Sequence, residues 1–274
     1  LVAAASEDRA GAARVTLKQG VPFEVTLGSV SAADADGFAA ARKRALADQM
    51  TSSGAAADCA DAVSRTVGFF SVYNPEKQMR YVAVNRDWCG DSSKAPNFMW
   101  DDFFDAYLAG PVNPELAKES LVHTLDIIRS RGLAGAPPQR NLIVPVIYSK
   151  FVRFVGDADF TRRTFPAMMS YMRFWFEDRG DGHPWRDGND DGLIESGSCL
   201  RPSEAEPGRI VSDAFDETGY DDNPQYSAGF GHKRWGVPAD GIRYDFGRGT
   251  LNLTLVGQNC LYVTACRAMA VVAD

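Results

Sequence analysis

Apolar residues recur every three or four positions through the middle of this chain, and that periodicity constrains the fold more than any other feature of the sequence. The clearest pattern starts at residues 113–115, where Asn-Pro-Glu is typical of a helix start, and ends before Gly132. Similar patterns predict helices over residues 141–155, 164–176 and about 249–270. Helices of this length between long polar loops favour a mainly α fold, and in particular a toroid of helices with the site at one end.

The first fifty residues have a different character. Two short stretches rich in β-formers, residues 14–17 and 23–27, flank a turn signal at residues 19–22 and predict a β-hairpin. Alanine-rich residues 31–50 follow, with acidic residues near their start and basic residues later, which predicts a helix or a helical linker.

Composition excludes several classes of protein. With 45% hydrophobic residues, the 274-residue chain can bury a sizeable core. Its net charge of −7 argues against binding to nucleic acid or to an anionic membrane, so a neutral or cationic ligand suits it better. No apolar run is long enough to span a bilayer and residues 1–5 lack a basic start, so we expect a soluble chain without a signal peptide. The five cysteines show neither a disulfide framework nor a metal-binding spacing, and free thiols are the simpler interpretation.

One loop has the oxygen spacing of a calcium site. Asp187, Asn189 and Asp191 stand at alternate positions, a glycine follows at the sixth, and the backbone carbonyl of Leu193 stands at the seventh. The glutamate expected at position 12 is missing, and Glu195 at position 9 is the nearest substitute. A plain turn rich in Asp and Asn uses the same residues. We expect calcium, or another hard cation, rather than zinc.

An acidic segment at residues 217–224 contains three carboxylates and a turn glycine. Because close carboxylates repel one another, one of the three can be held protonated and serve as a general acid. The alternative is a solvated acidic loop.

Two further segments combine flat aromatic rings with polar side chains. Trp100 and Asp101 stand at a predicted helix start, where an indole can stack on a sugar ring and a carboxylate can bind its hydroxyls. Asp101 can equally be an acidic residue that stabilises the helix N-terminus. Arg86 and Trp88 offer a second donor and a second platform. Sequence signatures of serine or cysteine nucleophiles, of phosphate-binding loops and of zinc sites are absent, so carboxylate chemistry is what remains.

Taken in their order, these motifs resemble glycoside hydrolase family 63 and its clan relatives over about residues 60–270. The resemblance rests on an ordered series: V-G-F-F to Y-N-P at residues 67–75, N-R-D-W at 85–88, W-D-D-F-F at 100–104, A-P-P at 136–138, the calcium-type loop, and E-T-G-Y-D-D-N-P at 217–224. It implies an (α/α)6 barrel that cleaves α-glucosidic or related bonds with inversion.

The resemblance also implies roles for individual residues. The family carries its general acid at the first aspartate of Glu-Ser-Gly-x-Asp-Asn-Ser-Pro, which falls on Asp221. Trp100 and Asp101 match residues that line the glucose-binding subsite, and Glu217 stands where a supporting carboxylate would. The calcium-type loop resembles a metal site of some members. Thr218 in place of serine is a mild departure.

The family's general base is a glutamate from the later part of the barrel, and none of these 274 residues matches it. We therefore expect the N-terminal part of an inverting α-glycosidase. Residues 1–30 form the end of a β-sandwich domain, residues 31–60 a helical linker, and residues 61–274 the first part of the (α/α)6 barrel. Uncovered helix faces predict a C-terminal half from the same gene or a second chain, or self-association.

Two other interpretations stand beside this one. The chain can be a non-catalytic, calcium-stabilised half-barrel that binds carbohydrate. It can also be a different enzyme of the same barrel type, such as a trehalase, an α-rhamnosidase or a debranching glucosidase.

Overall fold

The computed structural model describes residues 6–7, 13–14, 53–84, 98–131, 140–201, 203–219 and 242–274, together with parts of the segment 36–45. Two compact units divide the chain, Leu1–Gln49 and Met50–Asp274. In the first unit, β1 (Ser6–Glu7) pairs antiparallel with β2 (Ala13–Arg14), and the described residues between 36 and 45 are helical. Apart from Arg14, the predicted hairpin over residues 14–17 and 23–27 lies outside the described residues.

The second unit is mainly helical, as the sequence predicts. Its α-helices are α1 (Cys59–Phe70), α2 (Trp100–Ala109), α3 (Pro114–Arg131), α4 (Val144–Val155), α5 (Ala158–Phe174), α6 (Pro207–Asp216) and α7 (Val256–Ala273). Its strands are β3 (Ser71–Asn74), β4 (Met79–Val82), β5 (Glu195–Gly197), β6 (Tyr244–Asp245) and β7 (Thr250–Thr254). Within the described residues, no helix combines the length and the apolar character that a membrane crossing requires.

Local capping explains where α3 and α5 begin. Asn113 accepts a hydrogen bond from the amide of Leu116 at 3.1 Å, which confirms the predicted start of α3. Helix α5 starts six residues before the predicted position, because the Asp157 side chain caps it by accepting from the amide of Phe160 at 2.9 Å. Pro166 therefore lies inside this helix rather than in its first turn.

Small sheets interrupt the predicted helical series, so the second unit is mainly but not wholly helical. Strands β3 and β4 form an antiparallel hairpin, and β7 pairs with both β5 and β6. The last helix begins at Val256 rather than near residue 249, because the alternating Thr-Leu-Asn-Leu-Thr of β7 pairs with its neighbours instead.

The core lies between helices that pack side by side. Helix α2 packs against α3 and α4, and α4 also packs against α5 and α7. Met168 and Met172, on the apolar face of the predicted helix 164–176, are buried in this core, whereas Phe176 is 38% exposed. Each large apolar side chain buried here contributes about 1.5–3 kcal/mol to folding.

Candidate functional site

Glu217 is the centre of a buried charge cluster. Its side chain is 0% exposed and accepts from Nε of Arg186 at 2.5 Å, from Nη2 of Arg186 at 2.6 Å and from Nε of Arg140 at 3.0 Å. Arg186 is also 0% exposed and Arg140 only 1%. We refer to Glu217, Arg140 and Arg186 as the carboxylate clamp.

The acceptor sites of the Glu217 carboxylate are filled. Besides the two guanidinium groups, the amide of Gly197 donates to Oε1 at 3.0 Å, so each oxygen accepts two hydrogen bonds. A carboxylate has about four such acceptor positions. The Glu217 side chain therefore fixes the chain around it, and it is not placed to take a ligand hydroxyl in this arrangement.

A fourth charge completes the surroundings of the clamp. Asp213, on α6, lies 3.7 Å from Nη2 of Arg140 and accepts from the hydroxyl of Ser198 at 2.7 Å and from the amide of Cys199. Two guanidinium groups thus face two carboxylates. This balance matters because an unpaired buried charge is costly.

The clamp continues into the turn that follows α6. The side-chain amide of Asn141 donates to the carbonyl of Thr218 at 3.2 Å, and the hydroxyl of Tyr171 donates to the carbonyl of Asn141 at 2.9 Å. Gly219 has φ +66°, and a Cβ there would lie 2.5 Å from Nδ2 of Asn141. Only glycine fits both constraints, so the direction of the chain is fixed just before residue 220.

The structure describes some of the predicted site residues and not others. Asp221, Arg86 and Trp88 lie outside the described residues. Trp100 and Asp101 occupy the first turn of α2, as predicted, and both are half-buried. The Trp100 ring contacts Phe104 edge to face, with 6.1 Å between ring centroids.

Helix α2 carries two further carboxyls, Asp102 of the W-D-D-F-F motif and Asp105, to which no individual role was assigned from the sequence. Burial raises the pKa of Asp105 to about 7, and repulsion from Asp101 adds to the shift. Asp102 is buried, and desolvation followed by repulsion from Asp105 raises its pKa well above the usual range. The spacing of these acids along one helix was visible in the sequence, but their burial was not.

The predicted calcium loop forms a closed turn. The carboxylate of Asp187 accepts from the amides of Asp191 at 2.9 Å and Gly192 at 3.0 Å, and Asp191 accepts from the amide of Leu193 at 2.8 Å. Asn189 also accepts from the amide of Asp191, at 3.2 Å. These hydrogen bonds hold the side chains of positions 1, 3 and 5 within one closed turn.

Glu195 closes the loop from β5. Its carboxylate accepts from the amide of Gly188 at 3.0 Å and from the hydroxyl of Thr254 at 2.9 Å, and burial raises its pKa. In the part of the chain that the structure describes, no three His, Cys, Asp or Glu side chains already stand together as a metal-binding group. The donor set fits calcium in chemical type, because every predicted ligand is an oxygen.

Sequence reasoning missed the clamp partners of Glu217. Arg186 stands directly before the calcium-type loop, and neither it nor Arg140 was assigned a role from the sequence. Arg140 and Glu217 are 77 positions apart, and no spacing rule joins residues at that distance.

Comparison of the chain with protein-family models, with curated proteins and with solved structures finds no match.

Proposed function

We propose that this chain belongs to an inverting glycoside hydrolase that acts on α-glucosides, with Asp221 as the general acid. One observation carries the proposal: the E-T-G part of the motif that resembles family 63 is held by the carboxylate clamp, two residues before Asp221. A general acid needs a fixed position relative to the glycosidic oxygen that it protonates. A rigid, buried anchor next to that residue supports this role.

The proposal assigns Glu217 a positioning role. Its carboxylate is occupied by Arg140, Arg186 and Gly197, so it acts through the main chain that leads to Asp221. Trp100 and Asp101, half-buried at the start of α2, are proposed as a sugar platform and a hydroxyl acceptor. Arg86 and Trp88 keep their proposed substrate contacts on the strength of the resemblance alone.

For the fold, we propose that residues 61–274 are the first part of an (α/α)6 toroid, that residues 31–60 are a helical linker, and that residues 1–30, with β1 and β2, end a β-sandwich domain. The side-by-side packing of α2 with α3, and of α4 with α5, supports a helical-hairpin architecture. The exposed valines of α7, Val256, Val263 and Val271, support a covering partner, either the C-terminal half of the toroid or a second copy.

The general base is proposed to be a glutamate outside these 274 residues. Inversion needs a second carboxyl about 6.5–9.5 Å from the acid, with a water between them. We also propose that the loop from Asp187 to Glu195 binds calcium, held by Asp187, Asn189, Asp191, the Leu193 carbonyl and Glu195. Bound calcium would stabilise the loop and would take no part in bond cleavage.

Hydrolysis of p-nitrophenyl α-glucoside tests the proposed function. We expect the natural gene product to be active and the isolated 274-residue chain to be inactive. Asp221→Asn in the gene product should lower kcat by a factor of about 10²–10⁴, because it removes the proton donor. Glu177→Gln, at an exposed side chain outside this acidic segment, is the control and should retain activity within about tenfold of the wild type.

Two results would count against the proposal. Activity in the isolated chain that is lost in Asp221→Asn would mean that the base lies within these 274 residues. A gene product that binds sugar, with unchanged affinity in Asp221→Asn and no hydrolysis, would support the non-catalytic carbohydrate-binding protein instead.

A further inference from the structure

A cleft of about 480 Å³ lies next to the carboxylate clamp. Its walls come from the segment after α5, the segment after β5 and the hairpin of β6 and β7. Cys199, whose Sγ accepts from Nη2 of Arg186 at 3.2 Å, links the cleft to the clamp. Ligand pockets typically have volumes of about 300–1,000 Å³. Of the described residues assigned a role above, neither Trp100 nor Asp101 lines this cleft.

One part of the wall is aromatic. Tyr244 and Phe246 contact edge to face, with 4.9 Å between ring centroids, and Phe246 remains 47% exposed. Trp185 also lines the cleft, and its indole stacks on Phe174 with 5.5 Å between centroids. Rings held in this way offer flat apolar surfaces at little cost in conformational entropy.

The other part of the wall is polar and rigid. Nε of Arg179 donates to both carboxylate oxygens of Asp181, at 2.8 and 2.7 Å, and its Nη2 donates to the carbonyl of Gly247 at 2.6 Å. Its Nη1 donates to the carbonyl of Arg248. Arg179 therefore ties two walls of the cleft together, and Asp181 offsets its charge.

Charge and shape together select the class of ligand. Asp181 balances Arg179, and among the lining residues that the structure describes Arg201 is the other cation. One exposed and two half-buried aromatic rings beside fixed polar groups suit a ring that has apolar faces and an edge of hydroxyls. We propose that this cleft binds an α-linked glucose oligosaccharide. The choice of α-linked glucose rests on the proposed function, whereas the preference for a neutral sugar rests on the cleft itself.

Calorimetric titration with maltotriose tests the inference. The full gene product should carry Asp221→Asn, so that the proposed hydrolysis does not consume the ligand. In that background, Phe246→Ala should weaken maltotriose binding by at least about fivefold, as expected for an aromatic anchor. Phe246→Leu should do the same, because it keeps an apolar side chain but loses the ring face. Far-UV circular dichroism verifies that both variants fold.

Phe154→Ala is the matched control. Phe154 is 53% exposed and also contacts a tyrosine, Tyr107, edge to face, but it does not line the cleft. Maltotriose affinity should be unchanged in this variant. Affinity that is also unchanged in Phe246→Ala overturns the inference. A second result also overturns the inference: inorganic phosphate displaces maltotriose, and phosphate binding weakens in Arg201→Ala. The cleft would then select anions rather than neutral sugars.

The two proposals can fail separately. A gene product that does not hydrolyse α-glucosides, but whose maltotriose binding depends on Phe246, contradicts the proposed function and leaves the cleft assignment intact. Hydrolysis that depends on Asp221, together with maltotriose binding that does not depend on Phe246, supports the proposed function and contradicts the cleft assignment.

Discussion

Glu217 and Arg186 form a two-point ion pair in which neither side chain is exposed to solvent. Nε and Nη2 of the guanidinium each donate to a different carboxylate oxygen, the planar geometry in which this pair is strongest. Arg140, which is 77 positions from Glu217 in the sequence, donates to the same carboxylate. The three residues therefore join the segment before α4, the segment between α5 and β5, and the turn after α6.

Removing the charge of Glu217 should destabilise the chain strongly. Glu217→Gln leaves two buried guanidinium groups facing a neutral amide, and breaking such a pair costs about 3–5 kcal/mol. Urea unfolding measures the loss. The exposed Glu177 supplies the control, and Glu177→Gln should change stability by no more than about 0.5 kcal/mol. Equal effects of the two substitutions would show that the clamp contributes little.

Gly219→Ala should also destabilise, through a different cause. The backbone has φ +66° and the new Cβ would lie 2.5 Å from Nδ2 of Asn141, so the Asn141–Thr218 hydrogen bond has to move. We expect a loss of about 1–3 kcal/mol in the free energy of unfolding. Gly208, in the first turn of α6, has nothing within 4 Å of its Cβ position, and Gly208→Ala should stabilise slightly. A neutral Gly219→Ala would contradict the fixed turn.

Asp105 should make stability depend on pH. Its pKa is raised from 3.8 to about 7, so between these values the folded chain holds a proton that the unfolded chain releases. The free energy of unfolding therefore falls as the pH rises through this range, by on the order of 1 kcal/mol per pH unit at most. Asp105→Asn should lessen that fall, and the raised pKa of the buried Asp102, which acts in the same direction, keeps the rest.

His123 also makes the stability of the folded chain depend on pH, in the opposite direction to Asp105. Burial lowers its pKa to about 4, so the unfolded chain binds the extra proton below the ordinary value of 6.5 and stability rises with pH in that window. Because this opposite trend is common to wild type and Asp105→Asn, the difference between their urea-unfolding curves reports the Asp105 carboxyl together with its repulsion of Asp102. Parallel pH profiles for the two proteins would contradict the raised pKa.

Calcium should stabilise the loop from Asp187 to Glu195. At about a hundred times its Kd, a ligand that binds only the folded chain adds about 2.7 kcal/mol to the free energy of unfolding. Thermal unfolding in calcium and in chelator measures this effect. Asp191→Asn should shift the calcium titration to higher concentration, whereas Asp190→Asn, which removes a charge at position 4, should not. If calcium does not change the unfolding temperature, the loop is a turn that does not bind calcium.

The parts of the fold that depend on neighbouring residues could be predicted. The cap of α3 and its apolar face are local, because Asn113 and Leu116 are three positions apart. The early start of α5 was missed because its first residues carry few apolar side chains, although Asp157 was a readable cap. Strand β7 was mistaken for helix because Leu251 and Leu255 also fit a four-residue period.

The parts of the site that depend on distant residues could not be predicted. Glu217 stood out in the sequence, but its burial depends on Arg140, Arg186 and Gly197, which lie 20 to 77 positions away. Asp105 did not stand out in the sequence, because only packing partly buries it. Such contacts follow from how helices pack, and one sequence does not encode that packing in any short pattern.

The most direct test of the central claim is the anomeric form of the glucose first released from an α-glucoside, followed by proton NMR during hydrolysis by the natural gene product. An inverting enzyme with Asp221 as acid releases β-glucose first, and the α-anomer then accumulates as the sugar mutarotates. Release of α-glucose first, or the absence of hydrolysis, would contradict the account.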